Sequence, residues 1–168
     1  MEMRVGLGYD AHPFVKGRPL ILCGVHVPYE MGLDGHSDAD VALHAVCDAL
    51  LGAASLGDIG ELFPSDEPQY AGISSTALLE RTLNHIRGAG YEPVQVDVII
   101  VASEPKLSPY KGAMREHLAS LLGLPITSVS VKAKTTNGLG FVGKGEGIEA
   151  YAVALLRRYD DSFNENST

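Results

Sequence analysis

The sequence predicts a single domain in which α-helices cover one face of a β-sheet, and three observations support this prediction. The chain has 168 residues, 45% of them hydrophobic, which is sufficient for one domain with its own core. Helical and alternating apolar patterns follow one another along the chain. No repeat, linker or low-complexity segment interrupts residues 1–159, and a polar tail follows at residues 160–168.

The first elements are a strand and a small hairpin. Residues 4–9 have the composition of a short first strand. Residues 19–28 contain two short apolar runs around Gly24, which predicts a hairpin with its turn at that glycine. Glycines and Asp34 then predict a loop.

Two helices follow. Ser37 and Asp40 have the spacing of a capping box, and apolar residues continue at helical spacing to Gly52. Turn-forming residues predict a loop over residues 57–68. A serine at position 74 or 75 caps a second helix, which is expected to end at residue 87.

The second half of the chain completes the sheet. Strands are predicted at residues 94–101 and 128–135, separated by a helix over residues 108–122. Residues 138–147 include five glycines, which favours a loop. Residues 148–158 are nearly all apolar and fit a strand or a helix; we favour a strand that pairs with residues 128–135. The expected sheet is mixed and has about four strands.

Charge and composition exclude several classes of protein. A net charge of −8 argues against a nucleic-acid binder, which needs a basic surface. Apolar runs are too short to span a membrane, and the first residues lack the apolar segment of a signal peptide. Two cysteines are too few for a disulfide framework. We therefore expect a cytoplasmic protein with no membrane or nucleic-acid partner.

Three side chains form a candidate metal site. Asp10 and His12 lie two residues apart at the end of the first strand, so both point to the same side. His44 lies on an otherwise apolar stretch of the first helix and is a candidate third ligand. Two imidazoles and a carboxylate are a common zinc set with an open position. Taken singly, each histidine is more simply explained as a structural, hydrogen-bonded residue.

Two features suit a phosphate ligand. His36 and Ser37 precede the first helix, where free backbone N–H groups and the helix dipole attract anions. A basic block, which also fits a solvated edge, contains Lys106, Lys111, Arg115, Lys132, Lys134 and Lys144. The glycine patterns that begin at Gly6 and Gly138 match a dinucleotide fingerprint on paper, but neither opens a complete βαβ unit, so we expect no dinucleotide site.

Six motifs occur in order along the chain: Gly8-Tyr-Asp10-Ala-His12, Gly35-His36-Ser37-Asp38-Ala-Asp40-Val-Ala-Leu-His44, Leu56-Gly-Asp58-Ile-Gly60-x-x-Phe63-Pro64, Pro105-Lys106-Leu107, Lys132-Ala-Lys134-Thr135-Thr136 and Gly143-Lys144-Gly-Glu-Gly-Ile148. Together they closely resemble the 2-C-methyl-D-erythritol 2,4-cyclodiphosphate synthases. The resemblance covers residues 4 to about 158.

The resemblance implies a homotrimer of α+β subunits with active sites between neighbours. Each site would hold a zinc ion and a second divalent cation, magnesium or manganese. In the implied reaction of the non-mevalonate isoprenoid pathway, 4-diphosphocytidyl-2-C-methyl-D-erythritol 2-phosphate closes to the cyclic diphosphate and releases CMP. The substrate carries its own ionised nucleophile, so catalysis would depend on positioning and charge neutralisation rather than on a general base.

The resemblance also assigns roles to residues. The zinc ligands match Asp10, His12 and His44, and the residues that stabilise the transition state match His36 and Thr135. Positions that bind substrate match Asp10, His12, His36, Ser37, Asp58, Ile59, Gly60, Phe63, Pro64, Ser65, Asp66, Glu67, Ala102, Ser103, Glu104, Pro105, Lys106, Leu107, Ser108, Lys134, Thr135, Thr136, Asn137, Phe141 and Lys144.

The chain departs from the family pattern at two positions. Asn137 replaces a glutamate that binds the second metal, which removes a charge from that ligand set. Lys144 replaces an arginine near a central channel of the trimer that can hold an isoprenoid diphosphate. Two alternatives to the synthase stay open at this stage: a zinc-dependent phosphohydrolase, and a non-catalytic oligomeric binding module.

Overall fold

The computed structural model describes residues 1–159, so the tail predicted at residues 160–168 lies outside the described part. Its strands are β1 (Met3–Lys16), β2 (Leu20–Leu22), β3 (Val25–Val27), β4 (Met31–Leu33), β5 (Tyr91–Val101), β6 (Val129–Lys134) and β7 (Gly147–Arg158). Its helices are α1 (Val41–Ala54), α2 (Ile59–Leu62), α3 (Ser75–Gly88), α4 (Lys111–Leu122) and α5 (Gly140–Gly143). None of these helices is long and apolar enough to cross a membrane.

Five strands form one mixed sheet in the order β4-β1-β7-β5-β6, and β2 and β3 form the separate hairpin. Only β5 and β6 run parallel, and α4 makes the crossover between them. The predicted α+β class, the hairpin and the presence of four main strands are confirmed, but β1 is not the short strand expected: it continues past Tyr9 to Lys16. The fifth strand, β4, lies where the sequence predicted a loop and pairs with the end of β1.

The predicted partner of the last strand was wrong. Residues 148–158 do form a strand, but β7 lies between β1 and β5, and β6 pairs with β5 alone. Alanines at positions 150, 152 and 154 of β7 are completely buried on the side that faces α1, which suits a central strand. Lys132 and Lys134 of β6 are exposed, and charged side chains of this kind are typical of an edge strand.

The first helix begins later than predicted. Asp40, not Ser37, is the N-cap of α1, and its carboxylate accepts a hydrogen bond from the Leu43 N–H over 3.0 Å. The helix also continues past Gly52 to Ala54, where Ser55 ends it in a left-handed conformation. The loops predicted at residues 57–68 and 138–147 each contain a short helix, α2 and α5 respectively.

The helix α1 lies unusually close to β1 because two glycines face it. A Cβ atom added at Gly6 would lie 2.0 Å from the carbonyl oxygen of Ala49, and one added at Gly8 would lie 1.8 Å from that of Ala45. Both distances are far below van der Waals contact, so no side chain fits at either position. The glycine pattern near the start of the chain therefore serves helix–strand packing.

The face of the sheet away from the helices, here called the outer face, is exposed and apolar. It carries alternate residues of the two central antiparallel strands. Val5 and Leu7 of β1 are 69% and 68% exposed, and Tyr151 and Val153 of β7 are 38% and 43% exposed. Contiguous apolar surface that stays exposed in a single chain often belongs to an interaction site.

The close contact between α1 and β1 predicts a large cost for a single methyl group. Gly8→Ala places that methyl against the backbone of α1, so we expect the free energy of unfolding to fall by about 1–3 kcal/mol or more. Gly112→Ala, in α4, adds the same methyl where nothing lies within 4 Å, and we expect it to be neutral or stabilising by up to about 1 kcal/mol. Urea unfolding of both variants measures the difference; equal midpoints would contradict the steric argument.

Candidate metal centre

Two elements supply the predicted metal ligands. Alternation along β1 sends Gly8, Asp10 and His12 to the side of the sheet that α1 covers. The close approach of α1 at Gly8 then brings His44, one residue before Ala45, up to Asp10 and His12. His44 is only 7% exposed, whereas Asp10 and His12 are half-buried.

The ligand atoms form a compact triangle. His12 Nε2 lies 2.9 Å from Asp10 Oδ2 and 3.2 Å from His44 Nδ1, and His44 Nδ1 lies 3.0 Å from Asp10 Oδ2. A tetrahedral zinc with bonds of about 2.0 Å separates its ligands by about 3.3 Å. Shifts of a few tenths of an ångström would therefore be enough to admit the ion.

The chemistry of the donor set also fits a cation. His12 Nδ1 donates its hydrogen to the Asp34 carbonyl over 2.7 Å, so in the neutral ring Nε2 offers a lone pair to the triangle. Burial raises the pKa of Asp10, but hydrogen bonds from His12 and His44 outweigh burial and bring that pKa to about 2. Burial lowers the pKa of His12, and the bond to Asp10 reverses this and raises it. A carboxylate that stays ionised beside two imidazoles suits a divalent metal.

The loop before α1 is held against this triangle. Arg18 donates to the carbonyl of Gly35 over 2.8 Å and also to the carbonyl of Ser37. A Cβ at Gly35 would approach His12 Cε1 to 3.0 Å, so the loop backbone lies directly on that ring. His36 is exposed, and Ser37 is buried at 7%.

The start of α1 is not the free anion site that the sequence suggested. The N–H groups of Cys23 and Gly24 donate to the Asp40 carboxylate over 3.0 and 2.6 Å, beside the bond from Leu43. Burial raises the pKa of Asp40 to about 6, although these three donors act in the opposite direction. The carboxylate therefore closes the helix end, and a phosphate would meet the side chains and backbone of residues 35–37 instead.

A first cavity of about 390 Å³ opens beside the triangle. It brings together eight residues predicted to bind metal or substrate: His12, His36, Ser37, His44, Ile59, Gly60, Phe63 and Ser65. Asp58 precedes this wall and caps α2 by accepting from the Glu61 N–H over 2.9 Å. Pro64, Asp66 and Glu67 belong to the same segment but do not line the cavity, and neither does Asp10.

A second cavity of about 330 Å³ lies at the ends of β5 and β6. It is lined by Ala133 and by nine predicted residues: Ala102, Ser103, Glu104, Pro105, Lys106, Leu107, Ser108, Lys134 and Thr135. Phe141 lines a third cavity of about 290 Å³ with Ala11, His12, Pro13 and Glu146. Thr136, Asn137 and Lys144 line none of the three.

Sheet register separates the first and second cavities. Lys134 is in line with Val101, Glu149 and Ala11 on successive strands. Three strand spacings of about 4.8 Å put it about 14 Å from β1. Its side chain also shares a face with Lys132, which pairs with Asp97 over 2.7 Å on the outer side of the sheet. Within one chain, therefore, Lys134 and the metal triangle lie on opposite faces.

Several residues of the site were missed by the sequence analysis. Arg18 carries no motif, and its contacts are visible only in three dimensions. Asp48 accepts from the Ile59 N–H over 2.8 Å and so holds the start of α2 against α1; its position one turn after His44 was the available signal. Tyr70, Ile73 and Leu78 add an apolar wall to the first cavity.

Comparison with known proteins identifies the relatives of the chain. The YgbB family model matches residues 3–157. A 2-C-methyl-D-erythritol 2,4-cyclodiphosphate synthase of Syntrophobacter fumaroxidans is 56% identical over 155 residues, covering 92% of this chain and 98% of that protein.

Solved structures also match this chain. The bifunctional IspDF of Campylobacter jejuni matches with a TM-score of 0.90 and 41% identity, over 95% of this chain and 43% of that one. An IspF–CDP complex from Plasmodium falciparum matches with a TM-score of 0.81 and 30% identity, over 94% and 97%. The chain thus corresponds to the whole of some relatives and to about two fifths of the bifunctional enzyme.

The triangle predicts that zinc stabilises the folded chain. At a free zinc concentration a hundred times the dissociation constant, we expect about 2.7 kcal/mol of added stability, which raises the Tm by about 5–10 °C. His44→Ala removes one ligand and should abolish the shift, whereas His85→Ala, at an exposed position of α3, should retain it. Thermal unfolding of both variants with and without zinc measures this rise in Tm. An equal rise in both variants would show that the triangle does not bind the ion.

Proposed function

The chain belongs to the YgbB family, and we propose that it converts 4-diphosphocytidyl-2-C-methyl-D-erythritol 2-phosphate to 2-C-methyl-D-erythritol 2,4-cyclodiphosphate and CMP, in the non-mevalonate isoprenoid pathway. An oxygen of the 2-phosphate forms a new bond to the β-phosphorus. The bond from that phosphorus to the oxygen bridging it to the α-phosphate breaks, and CMP leaves with the electron pair. The enzyme is accordingly a lyase that needs no second substrate.

The metal triangle at the mouth of the first cavity is the observation that carries this proposal. Asp10, His12 and His44 would hold zinc, and a zinc ion bound there supplies a Lewis acid for a phosphate oxygen. The surrounding cavity is mostly apolar, which strengthens every electrostatic contact made inside it. The nucleophile is already ionised, so the protein has to fold the substrate into a ring-closing pose.

Four residues are proposed to meet the phosphates. His36 and Ser37 line the first cavity beside the triangle, within reach of a phosphate oriented there. Lys134 and Thr135 line the second cavity and would neutralise the charge that develops on the transferring phosphoryl group. Of these, His36 and Thr135 are proposed to contact the transition state itself.

Three segments are proposed to hold the remainder of the substrate. Residues 58–60 would bind the erythritol carbon chain, and residues 63–67 and 102–108 would bind substrate and cytidine. Two observations support this: Ile59, Gly60 and Phe63 line the first cavity, and all of residues 102–108 line the second.

A second divalent cation, magnesium or manganese, is proposed to act on the diphosphate near residues 134–137. Asn137 is the second residue of a tight turn there, which is closed by a hydrogen bond from the Leu139 N–H to the Thr136 carbonyl over 3.2 Å. Asn137 and Gly138 have φ values of +54° and +83°, and asparagine and glycine tolerate this conformation best. Asparagine offers only a neutral oxygen at this position, so we expect weak binding of the second cation.

A homotrimer with sites between subunits is proposed as the active form. His36 and Thr135 would act on one phosphoryl group, yet they line cavities about three strand spacings apart within a chain. A neighbouring copy that brings its second cavity to the first cavity of this chain removes that conflict. The exposed apolar outer face supports such an assembly, because it offers the surface that copies would bury.

The third cavity gives a further proposed contact. Phe141 is 39% exposed and lines this cavity together with Pro13 and Glu146. In the assembled trimer we propose that this region borders a central channel able to hold an isoprenoid diphosphate, with Lys144 nearby to meet its charge.

The competing functions are less well supported. A zinc phosphohydrolase would use the same ligands, but the relatives that cover the chain are named as synthases. A non-catalytic oligomeric binding module would not need three metal-ligating atoms close to one another. We also propose that residues 1–159 form one catalytic domain and that the protein acts in the cytoplasm, where its two free buried cysteines stay reduced.

The reaction is tested by its product. We expect the purified protein with zinc and magnesium to release CMP and to give the phosphorus NMR signals of a cyclic diphosphate. Thr135→Ala removes a group that meets developing charge, so we expect a loss of about 10²-fold in kcat. Thr127→Ala, at an exposed position, is the matched control and should be fully active. A linear phosphate product would contradict the synthase and favour the hydrolase.

The trimer is tested by its mass. Leu7→Asp puts a charge at the centre of the outer face and should convert the protein to single chains of 17.8 kDa, with loss of activity. Ile126→Asp makes the same change at another exposed apolar residue, 42% exposed, and should leave the mass unchanged. Size-exclusion chromatography with light scattering measures the mass of both variants. A wild-type protein that runs as a single chain, or a trimeric Leu7→Asp variant, would contradict the proposed assembly.

A further inference from the structure

The ring of His44 is held from behind by two serines. Its Nε2 atom, which points away from Asp10, lies 2.9 Å from Ser75 Oγ and 3.0 Å from Ser37 Oγ. Ser75 is completely buried and begins α3. The contact therefore joins α1 to a helix that supplies none of the predicted metal or phosphate ligands.

Asp38 fixes the direction of the Ser75 hydroxyl. Ser75 donates to Asp38 twice, from Oγ to Oδ1 and from the backbone N–H to Oδ2 over 3.1 Å. An ionised carboxylate can only accept, so the hydroxyl hydrogen points towards Asp38. Towards His44, the Ser75 oxygen has only lone pairs to offer.

This arrangement selects one tautomer of His44 for the metal-bound state. An oxygen that presents lone pairs requires a hydrogen on Nε2, so Nδ1 is the ring nitrogen left to bind the ion, which would replace the hydrogen that Nδ1 donates to Asp10 in the metal-free chain. The opposite tautomer would place the Nδ1 hydrogen inside the triangle, where a metal ion has to bind. Ser37 does not make this selection, because its oxygen accepts from the Ala39 N–H and no carboxylate among the described residues fixes its hydroxyl hydrogen.

We propose that Asp38 and Ser75 are positioning residues of the metal site, which act through His44 to present Nδ1 as the ligating atom. This inference rests on the proposed binding of a divalent metal by Asp10, His12 and His44. Metal-binding histidines generally donate their second N–H to an oxygen that orients the ring, and loss of that partner weakens metal binding. His12 follows the same rule through the Asp34 carbonyl, so each imidazole has its own support.

Zinc affinity is the direct test, measured on the full chain by competition with a chromophoric chelator. We expect Ser75→Ala to bind zinc about 10–100-fold more weakly, and Asp38→Asn to be weaker by at least about tenfold on the same basis. The double variant should be no weaker than Ser75→Ala alone, because both changes interrupt one chain of hydrogen bonds.

Ser74→Ala is the matched control. Ser74 caps α3 by accepting from the Ala77 N–H over 3.2 Å, so its loss weakens the same helix end without touching His44. We expect lower thermal stability but unchanged zinc affinity. If Ser74→Ala loses affinity in parallel with Ser75→Ala, the effect belongs to the stability of α3, and the positioning role is overturned.

The ligating nitrogen of His44 can also be identified in the wild-type protein, so this test does not depend on a variant that folds. In nitrogen-15 spectra of the zinc-loaded chain, we expect the zinc-shifted nitrogen of His44 to be Nδ1 and the protonated one to be Nε2. Zinc on Nε2 would overturn the proposal, as would wild-type affinity in Ser75→Ala with a loss confined to Ser37→Ala. A wild-type chain that binds no divalent metal would instead remove the metal site itself, a result distinct from failure of the relay.

Discussion

The contact between α1 and the two glycines of β1 sets the geometry on which the metal centre depends. Gly6 and Gly8 let the backbone of the helix rest on the strand, and no other residue type fits at either position. The strand then delivers Asp10 and His12 to the same side two and four residues later, and the helix delivers His44 next to Ala45. The ligand triangle is therefore assembled by backbone packing, and the entropy of gathering three ligands is spent during folding rather than during metal binding.

Backbone packing sets the approximate positions of the residues around the metal triangle, and hydrogen bonds fix their orientations. Arg18 holds the carbonyls of residues 35 and 37, the Asp34 carbonyl orients His12, and Asp48 holds the start of α2. Each of these groups contacts backbone or an imidazole from outside the cavity. The cavity wall itself is left mainly apolar, so the few polar atoms that face it act in a medium of low polarity.

Local patterns in the sequence were sufficient for most elements and for choosing the three side chains that the structure brings together. The spacing of Asp10 and His12 needed only the two-residue period of a strand, and the motif resemblance supplied most of the residues that line the first and second cavities. Long-range pairing was not predictable in this way. The apolar composition of β7 is compatible with several partners, and its place beside β1 follows from alanines that fit under α1. Likewise, Asp40 and Ser37 both match a capping signal, and only the contact of Asp40 with the hairpin turn decides between them.

The buried Asp40 carboxylate has a consequence for the dynamics of the chain. It is the shared acceptor for the amides of Cys23 and Gly24 in the hairpin turn and of Leu43 in α1. Because the three bonds share one buried carboxylate, we expect the hairpin turn and the first turn of α1 to open together. Hydrogen exchange at the three amides would then occur through a single event. Because Leu43 immediately precedes His44, we expect the hairpin, although it contributes no ligand, to limit how often the three side chains of the metal triangle separate.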